Sequence, residues 1–181
     1  MYKITLDLTP ESIDNAIASF KQLQDQIEKE TKSLLRFIAN QGVTIAKSYV
    51  QNIDTGATVG SIHANMYYEN NKAVIIAGAN AIWLEFGTGV RFNQPGSYPL
   101  PLPNGVVDIG QYGKGKGSRQ NGWVYPISSS SAKYELKDKN GKGLGIAHTY
   151  GIPANKFMYQ TLKHLEKNAP KWAKSLYEGL K

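Results

Sequence analysis

The stretch AIWLEFGTG, residues 81–89, lies near the middle of this 181-residue chain and separates two regions of different character. Its first six residues form a short apolar segment, and Gly87 and Gly89 can adopt backbone conformations that are closed to other residues. The stretch therefore predicts a sharp turn directly after Phe86, with Glu85 half-buried between two apolar neighbours. Amphipathic patterns fill the residues before it, whereas proline and glycine dominate the residues that follow.

A long helical pattern precedes this stretch. Thr9 supplies a capping hydroxyl and Pro10 suits the first helical position, so a helix is predicted to begin there. The apolar residues that then recur at helical spacing are Ile13, Ile17, Phe20, Leu23, Ile27, Leu34, Leu35, Ile38, Ile45 and Tyr49. Because one straight helix of some forty residues would be about 60 Å long, we expect a break near residues 31–33, with Gly42 as a second weak point. Before the helix, residues 2–8 alternate in polarity and predict a short strand.

Strand candidates lie on both sides of the central stretch. Residues 58–68 and 72–77 flank the turn-forming cluster ENN at 69–71, and this arrangement predicts a β-hairpin. Residues 123–125, WVY, predict a further strand that ends at a proline. The NG pair at 140–141 is typical of a tight turn.

A long loop is predicted over residues 90–122, because prolines and then lysine-separated glycines follow one another there without helical or strand periodicity. A last helix is predicted from near Pro153 to the end of the chain, kinked or split at Pro170. Its apolar stripe consists of Phe157, Leu162, Leu165, Trp172 and Leu176. The predicted fold is α+β, with long N-terminal helices and a C-terminal helix packed on a small antiparallel sheet. We expect a single domain over residues 1–181, with the proline- and glycine-rich loop as an extended arm at about 90–122.

Composition excludes several classes of protein. The mean hydropathy is −0.39, and no stretch approaches the roughly 18 consecutive apolar residues of a membrane-spanning helix. The N-terminal sequence MYKITLDLTPES lacks the apolar core of a secretory signal. The chain has no cysteine, which excludes disulfides, thiolate zinc sites and a cysteine nucleophile. A hydrophobic content of 41% is enough for a core of ordinary size.

Two short motifs resemble catalytic or nucleotide-binding signatures. Residues 54–56, DTG, match the aspartic proteases, but that chemistry needs two carboxylates about 3 Å apart and the chain has no second copy. Residues 110–117, GQYGKGKG, have the spacing of a phosphate-binding loop. A glycine stands where that loop needs serine or threonine, and the following SRQNGWVYP cannot form the required helix. We interpret the first motif as a turn after a helix and the second as a flexible basic loop.

The remaining candidates for chemistry are the histidines and the basic residues. His63, His148 and His164 have no metal-ligand spacing, so no catalytic residue, metal or cofactor is predicted. Residues 90–181 carry fourteen basic and five acidic residues, a net +9 that exceeds the +7 of the whole chain. Basic side chains near aromatic rings can contact phosphates or an acidic partner, and a solvated surface is an equal alternative. The candidate contact residues are Lys114, Lys116 and Arg119.

Three segments, in this order, resemble a known family. They are TGATVGSI at 55–62, AIWLEFGTG at 81–89 and GIPANKFM at 151–158. The chain thereby resembles the putative tail-component family of siphophages, also called tail-completion, neck or head–tail joining proteins. The segment GWVYP at 122–126 is also similar to members from phages of Gram-positive hosts. The resemblance covers about residues 55–160, and it departs from the family pattern at Trp83, an aromatic residue in a shifted place.

This resemblance implies a structural virion protein that assembles as a homo-oligomeric ring between the head-side connector and the tail. Its partners would be itself, neighbouring connector and tail proteins, and DNA in the channel through non-specific contact. The protein would be located in the virion, and in the host cytoplasm during assembly, with no membrane and no enzyme activity. The alternative is a non-specific nucleic-acid-binding module that uses the basic loop.

The resemblance also assigns assembly roles to particular residues. Glu85 would hold the turn by accepting amide hydrogen bonds, or pair with Arg91 or a lysine of a neighbouring subunit, and a plain surface glutamate is an equal alternative. Phe157 and Met158 would pack the last helix onto the sheet. The residues expected to carry structure or assembly are Glu85, Phe86, Gly87, Thr88, Gly89, Phe157 and Met158.

Overall fold

The structure, a computed structural model, describes residues 7, 9–51, 56–78, 80–94, 96–112, 118–127 and 135–178. As predicted, the fold is α+β. The helices are α1 (Pro10–Gln51), α2 (Ala57–Ser61), α3 (Ala81–Phe86) and α4 (Phe157–Glu178). The strands are β1 (His63–Tyr67), β2 (Lys72–Ile76), β3 (Trp123–Pro126), β4 (Glu135–Lys137) and β5 (Gly143–Thr149). The chain forms two compact units, one of Met1–Ile76 with Gln160–Lys181 and one of Ala77–Tyr159.

Helix α1 dominates the first unit and runs unbroken for 42 residues. Its predicted start is confirmed, since the Thr9 hydroxyl accepts a hydrogen bond from the Ser12 amide at 3.3 Å. The break predicted near residues 31–33 is wrong. That segment contains neither glycine nor proline, and its residues cost only a few tenths of a kcal/mol each in a helix. The Thr31 hydroxyl lies 3.3 Å from the Tyr177 hydroxyl of α4, so tertiary contact supports the helix there. The strand predicted over residues 2–8 lies outside the described residues except for Asp7.

Gly42 is buried inside α1, and the helix continues through this position without a break. A Cβ atom at this position would lie 3.0 Å from Leu165 Cδ1 of α4 and would clash with Ile75 Cδ1 of β2. The missing side chain therefore makes room for two neighbouring elements of the same unit. The cost of glycine in a helix, about 1 kcal/mol relative to alanine, is offset by this close packing.

The predicted hairpin is confirmed in its central part. Strands β1 and β2 pair antiparallel from His63 opposite Ile76 to Tyr67 opposite Lys72. The residues before β1 form the short helix α2, so the strand predicted from residue 58 was wrong at its start. The Ser61 hydroxyl donates to the Thr58 carbonyl at 2.7 Å, which favours the helical turn.

The second unit contains α3 and a three-stranded antiparallel sheet in the order β3-β5-β4. The strand predicted over residues 123–125 is confirmed as β3, which pairs with β5 from Trp123 opposite Thr149. The tight turn predicted at 140–141 is confirmed between β4 and β5, where Gly141 has φ 81°. Strand β5 was not predicted, because its sequence GLGIAHT shows little alternation of polar and apolar residues.

Helix α4 begins at Phe157, four residues after the predicted start at Pro153. Residues 152–156 instead form hydrogen bonds with the segment around residues 84–88. Pro170 lies inside the helix without dividing it. In the predicted apolar stripe, Leu162 is 38% exposed and the adjacent Thr161 is buried.

Candidate functional site at the start of helix α4

The carboxylate of Glu85 is the centre of the candidate site. Glu85 is 5% exposed and lies in α3, just before the turn at residues 87–89. Its Oε2 atom accepts a hydrogen bond from the Met158 amide at 2.7 Å, and Oε1 accepts one from the Tyr159 amide at 3.1 Å. Both amides belong to the first turn of α4, where backbone N–H groups have no partner within the helix. Glu85 therefore caps α4 from a distant part of the chain, with its charge at the positive end of the helix dipole.

Tyr98 supplies a third donor to this carboxylate. Its hydroxyl donates to Glu85 Oε1 over 2.6 Å. Burial raises the pKa of Tyr98 well above its usual value, and the hydrogen bond to the Glu85 carboxylate raises this pKa further. The phenol therefore stays protonated, as a donor to Glu85 must be.

Aromatic rings surround the capped carboxylate. The Phe86 ring lies 4.7 Å from the Tyr98 ring and 5.6 Å from the Tyr112 ring, measured between centroids. The Tyr98 ring in turn meets the Tyr159 ring edge-on at 6.2 Å. These rings bury apolar surface around the carboxylate, and burial raises the pKa of Tyr112. Hydrogen bonds to Glu85 are stronger in such a shielded place than in water.

Asn93 joins the turn at residues 87–89 to the segment before α4. Its side chain is 3% exposed. The amide Nδ2 lies 3.1 Å from the Thr88 carbonyl oxygen, 2.9 Å from that of Gly89 and 2.9 Å from that of Ile152. The amide group has two hydrogens, so these three acceptors share them. Its Oδ1 accepts from the Ala154 amide at 2.7 Å. One side chain thereby satisfies backbone groups of two segments that are some sixty residues apart in sequence.

Backbone hydrogen bonds connect the same two segments directly. Thr88 and Ile152 form an antiparallel bridge, with the Thr88 amide donating to the Ile152 carbonyl at 2.8 Å and the reverse bond at 3.0 Å. The Asn155 amide donates to the Leu84 carbonyl at 2.7 Å, and the Lys156 amide donates to the Glu85 carbonyl at 3.1 Å. These bonds satisfy the carbonyls at the end of α3 and place the first turn of α4 beside Glu85.

Gly87 and Gly151 make this close approach possible. Gly87 has φ 69°, and a Cβ atom there would lie 2.6 Å from the Ile152 carbonyl oxygen and 2.7 Å from the Ala154 nitrogen. Gly151 has φ 93°, and an added Cβ would collide with the Thr88 carbonyl. Both positions therefore require glycine for conformation and for space.

The structure brings together the seven residues predicted to carry structure or assembly. One of the predicted roles of Glu85 was to accept hydrogen bonds from backbone amides, and it does so. The amides belong to α4, however, and not to the turn at residues 87–89. Phe157 is fully buried and Met158 is half-buried. Arg91 places its guanidinium 3.9 Å from the centroid of the Tyr150 ring.

Of the three basic candidate residues, the structure describes one. Lys114 and Lys116 lie outside the described residues, as does Asp54 of the DTG motif. Arg119 is described and exposed. The sequence did not identify Asn93 and Tyr98. The Asn93 side chain connects neighbouring carbonyls to a segment about sixty residues away, and Tyr98 bonds Glu85 thirteen residues before it, so neither contact has a local sequence signal.

An apolar groove lies on the surface of this unit beside the turn. It has a volume of about 410 Å³ and is lined by Trp83, Trp123, Tyr125 and Ile152, together with Thr88 and Thr149. Trp83 is 48% exposed, although tryptophan is usually highly buried. Exposed aromatic surface of this kind is typical of contact sites for other macromolecules.

Comparisons with models of protein families, with curated proteins and with solved structures give no match.

Within the described residues, no three or more histidine, aspartate or glutamate side chains are grouped so that they could hold a metal ion. The described helices include none that is long and apolar enough to span a membrane.

The Tyr98 hydroxyl gives a prediction about pH. We expect Tyr98→Phe to lower the free energy of unfolding by about 1–2 kcal/mol at neutral pH, because Glu85 loses a charge-assisted hydrogen bond. The folded protein keeps the Tyr98 proton above pH 10, where the unfolded chain releases it. The contribution of Tyr98 is therefore fully present below about pH 10 and is lost as the pH rises further.

Chemical denaturation of the parent protein and the variant, at neutral pH and between about pH 9 and 11, measures this effect. The difference in stability between them should shrink as the pH rises. Tyr67→Phe, at a tyrosine that is 47% exposed, is the matched control. A difference that stays constant over this range would contradict the assigned role of Tyr98.

Proposed function

We propose that this chain is a structural virion protein of the neck or tail-joining region of a long-tailed bacteriophage. In this role it assembles as a ring that connects the head-side connector to the tail. The observation that carries the proposal is the contact between two of the three segments on which the family resemblance rests. Residues 81–89 and 151–158 are distant in sequence, and Glu85 and the Thr88–Ile152 bridge join them.

The use of the signature residues supports an architectural role. Both oxygens of Glu85 accept hydrogen bonds in a buried place, so this carboxylate holds the first residues of α4 in position. Asn93 and Gly87 contribute to the same junction, which we define as the contact between residues 84–89 and residues 152–159. A junction of this kind rigidifies the unit that carries the exposed aromatic groove, and a rigid contact surface suits a subunit of a closed ring.

The positive charge of the second half of the chain suits either of two partners in such a ring, DNA or an acidic protein surface. The net +9 of residues 90–181 would attract DNA passing through the channel, or an acidic surface of an adjoining protein. The same charge is the observation that favours the alternative, a non-specific nucleic-acid-binding module. For that alternative, the affinity of the isolated monomer for DNA would fall steeply with salt, and alanine at Lys114, Lys116 and Arg119 would reduce the salt dependence.

The ring is tested with the full-length protein and with virions. We expect native mass spectrometry and electron microscopy of the purified protein to show a closed ring of uniform copy number. We also expect antibody labelling of virions to mark the head–tail junction. A protein that stays monomeric and is absent from virions would overturn the proposal. Salt-dependent DNA binding by such a monomer would favour the alternative.

A further inference from the structure

The N-terminal half of α1 exposes a stripe of large apolar side chains. Ile13, Ile17, Phe20 and Ile27 are 42%, 50%, 57% and 48% exposed, respectively. Their spacings of four, seven and fourteen residues from Ile13 place them on one face of the helix. We refer to these four residues as the α1 stripe. Its exposed area is on the order of 300–400 Å², which on a soluble protein is large enough to mark a contact site.

An apolar groove lies further along the same unit, between α1 and α4. Its volume is about 500 Å³, and its apolar lining consists of Leu34, Phe37, Trp172 and Leu176. The Phe37 and Trp172 rings meet edge-on at 5.5 Å and join the two helices. The small side chains of Ser33 and Ser175 also line the groove and leave it open. We refer to this feature as the α1–α4 groove.

The stripe cannot fill the groove of its own chain. Both features lie on α1, which is one continuous helix from Pro10 to Gln51, so residues 13–27 cannot fold back onto residues 33–37. A helix that presents apolar residues at this spacing commonly binds in an apolar groove. The stripe can therefore dock in such a groove only on another molecule.

Charge favours a second copy of this chain in the groove. Residues 10–30 of α1 carry five acidic and two basic residues, whereas α4 carries four lysines and two glutamates. The segment of α1 that carries the stripe is thus acidic, and α4, which forms one wall of the groove, is basic, so the two surfaces attract each other. Packing one stripe on another would instead bring together two segments with a net charge of −3 each.

We infer that the α1 stripe of one copy docks in the α1–α4 groove of the next copy. This inference rests on the proposed function, for which it supplies an interface between ring subunits. The contact is head-to-tail, because it joins two different surfaces, and such contacts close into rings when the rotation between copies allows it. The stripe supplies about half of the roughly 800 Å² that each partner buries in a standard interface. Flanking polar residues would supply the remainder.

Three single substitutions in the full-length protein test the inference. Phe20→Glu disrupts the stripe, and Ser175→Glu places an acidic side chain in the groove, where it would face the acidic residues 10–30 of the next copy. Gln22→Glu is the matched control, since it adds the same charge on the opposite face of α1. All three positions are exposed, so we expect the fold to be retained, and circular dichroism would check this. Sedimentation velocity should show association weakened by about 30-fold or more for the first two variants and unchanged for Gln22→Glu.

Mixing the two disrupted variants distinguishes head-to-tail contact from other modes. The Ser175→Glu protein keeps an intact stripe and the Phe20→Glu protein keeps an intact groove, so the mixture should form a 1:1 dimer that does not grow. If Ser175→Glu associated like the parent, the contact would not use the groove and the inference would be wrong. Loss of association in Phe20→Glu alone would then indicate that one stripe packs on another.

Other outcomes separate the inference from the proposed function. Rings of parental size from both variants would overturn the inference and leave the neck function intact. A parent protein that stays monomeric at all concentrations would also overturn the inference. In that case antibody labelling of virions would decide the proposed function independently.

Discussion

Replacing Glu85 with alanine is expected to lower the free energy of unfolding by about 3–5 kcal/mol. The substitution leaves the amides of Met158 and Tyr159 and the hydroxyl of Tyr98 without their acceptor in a buried place. Each such loss costs about 1–3 kcal/mol. The interaction between the carboxylate and the dipole of α4 is lost as well.

Glu85→Gln separates the effect of charge from that of shape. Glutamine keeps one acceptor oxygen and nearly the same volume, so we expect a smaller loss of about 1–3 kcal/mol. Chemical denaturation followed by circular dichroism measures both losses. Glu69→Ala, at an exposed glutamate, is the control and should change stability by less than about 0.5 kcal/mol. If Glu85→Ala were as stable as this control, the carboxylate would not anchor the amides of Met158 and Tyr159.

Replacing Asn93 is expected to cause the second large loss of stability. We expect Asn93→Ala to destabilise the protein by about 3–4 kcal/mol, since the buried side chain accepts from one backbone amide and shares its two amide hydrogens among three carbonyls. Asn93→Asp is nearly identical in shape, yet we expect it to be at least as damaging at neutral pH. It would place a carboxylate oxygen against the carbonyls of Thr88, Gly89 and Ile152, where a donor is required.

The comparison of these two variants is the sharper test of Asn93. Thermal unfolding of Asn93→Ala, Asn93→Asp and the parent protein would measure it. Asn40→Asp, at an exposed asparagine of α1, is the matched control for the added charge. An Asn93→Asp protein close to the parent in stability would show that the orientation of the amide, and with it the three donated bonds, is assigned wrongly.

The helices, strands and turns of this fold could be predicted where they depend on a few residues that are adjacent in the sequence. The start of α1 at Thr9 and Pro10, the hairpin around residues 69–71 and the turn at 140–141 each depend on a few adjacent residues, and each is confirmed. Helical periodicity likewise predicted α1 and α4. The break near residues 31–33 was predicted from length alone, and no residue in that segment disfavours a helix enough to produce it.

The candidate site was predictable only in part. Glycines at 87 and 89 and the acid at 85 marked the turn, and the resemblance pointed to Phe157 and Met158. The partner of Glu85 could not be deduced, because a glutamate has the same local signal whether it caps a distant helix or faces solvent. Asn93 and Tyr98 were missed as well, since side-chain hydrogen bonds within a loop and to other segments leave no periodic pattern in a sequence.

By itself, the sequence determined the class of this fold: the helical character of the N-terminal region, the hairpin, the last helix and the glycine turn at residues 87–89. These features follow from side-chain periodicity and from backbone conformations that act within a few residues. Only the tertiary structure decided that the turn receives the start of α4, that Glu85 caps that helix, and that Gly42 and Gly87 are sites of close approach. The reason is physical, because a buried polar group must find its partner wherever the fold places one, and that position depends on the packing of the whole unit.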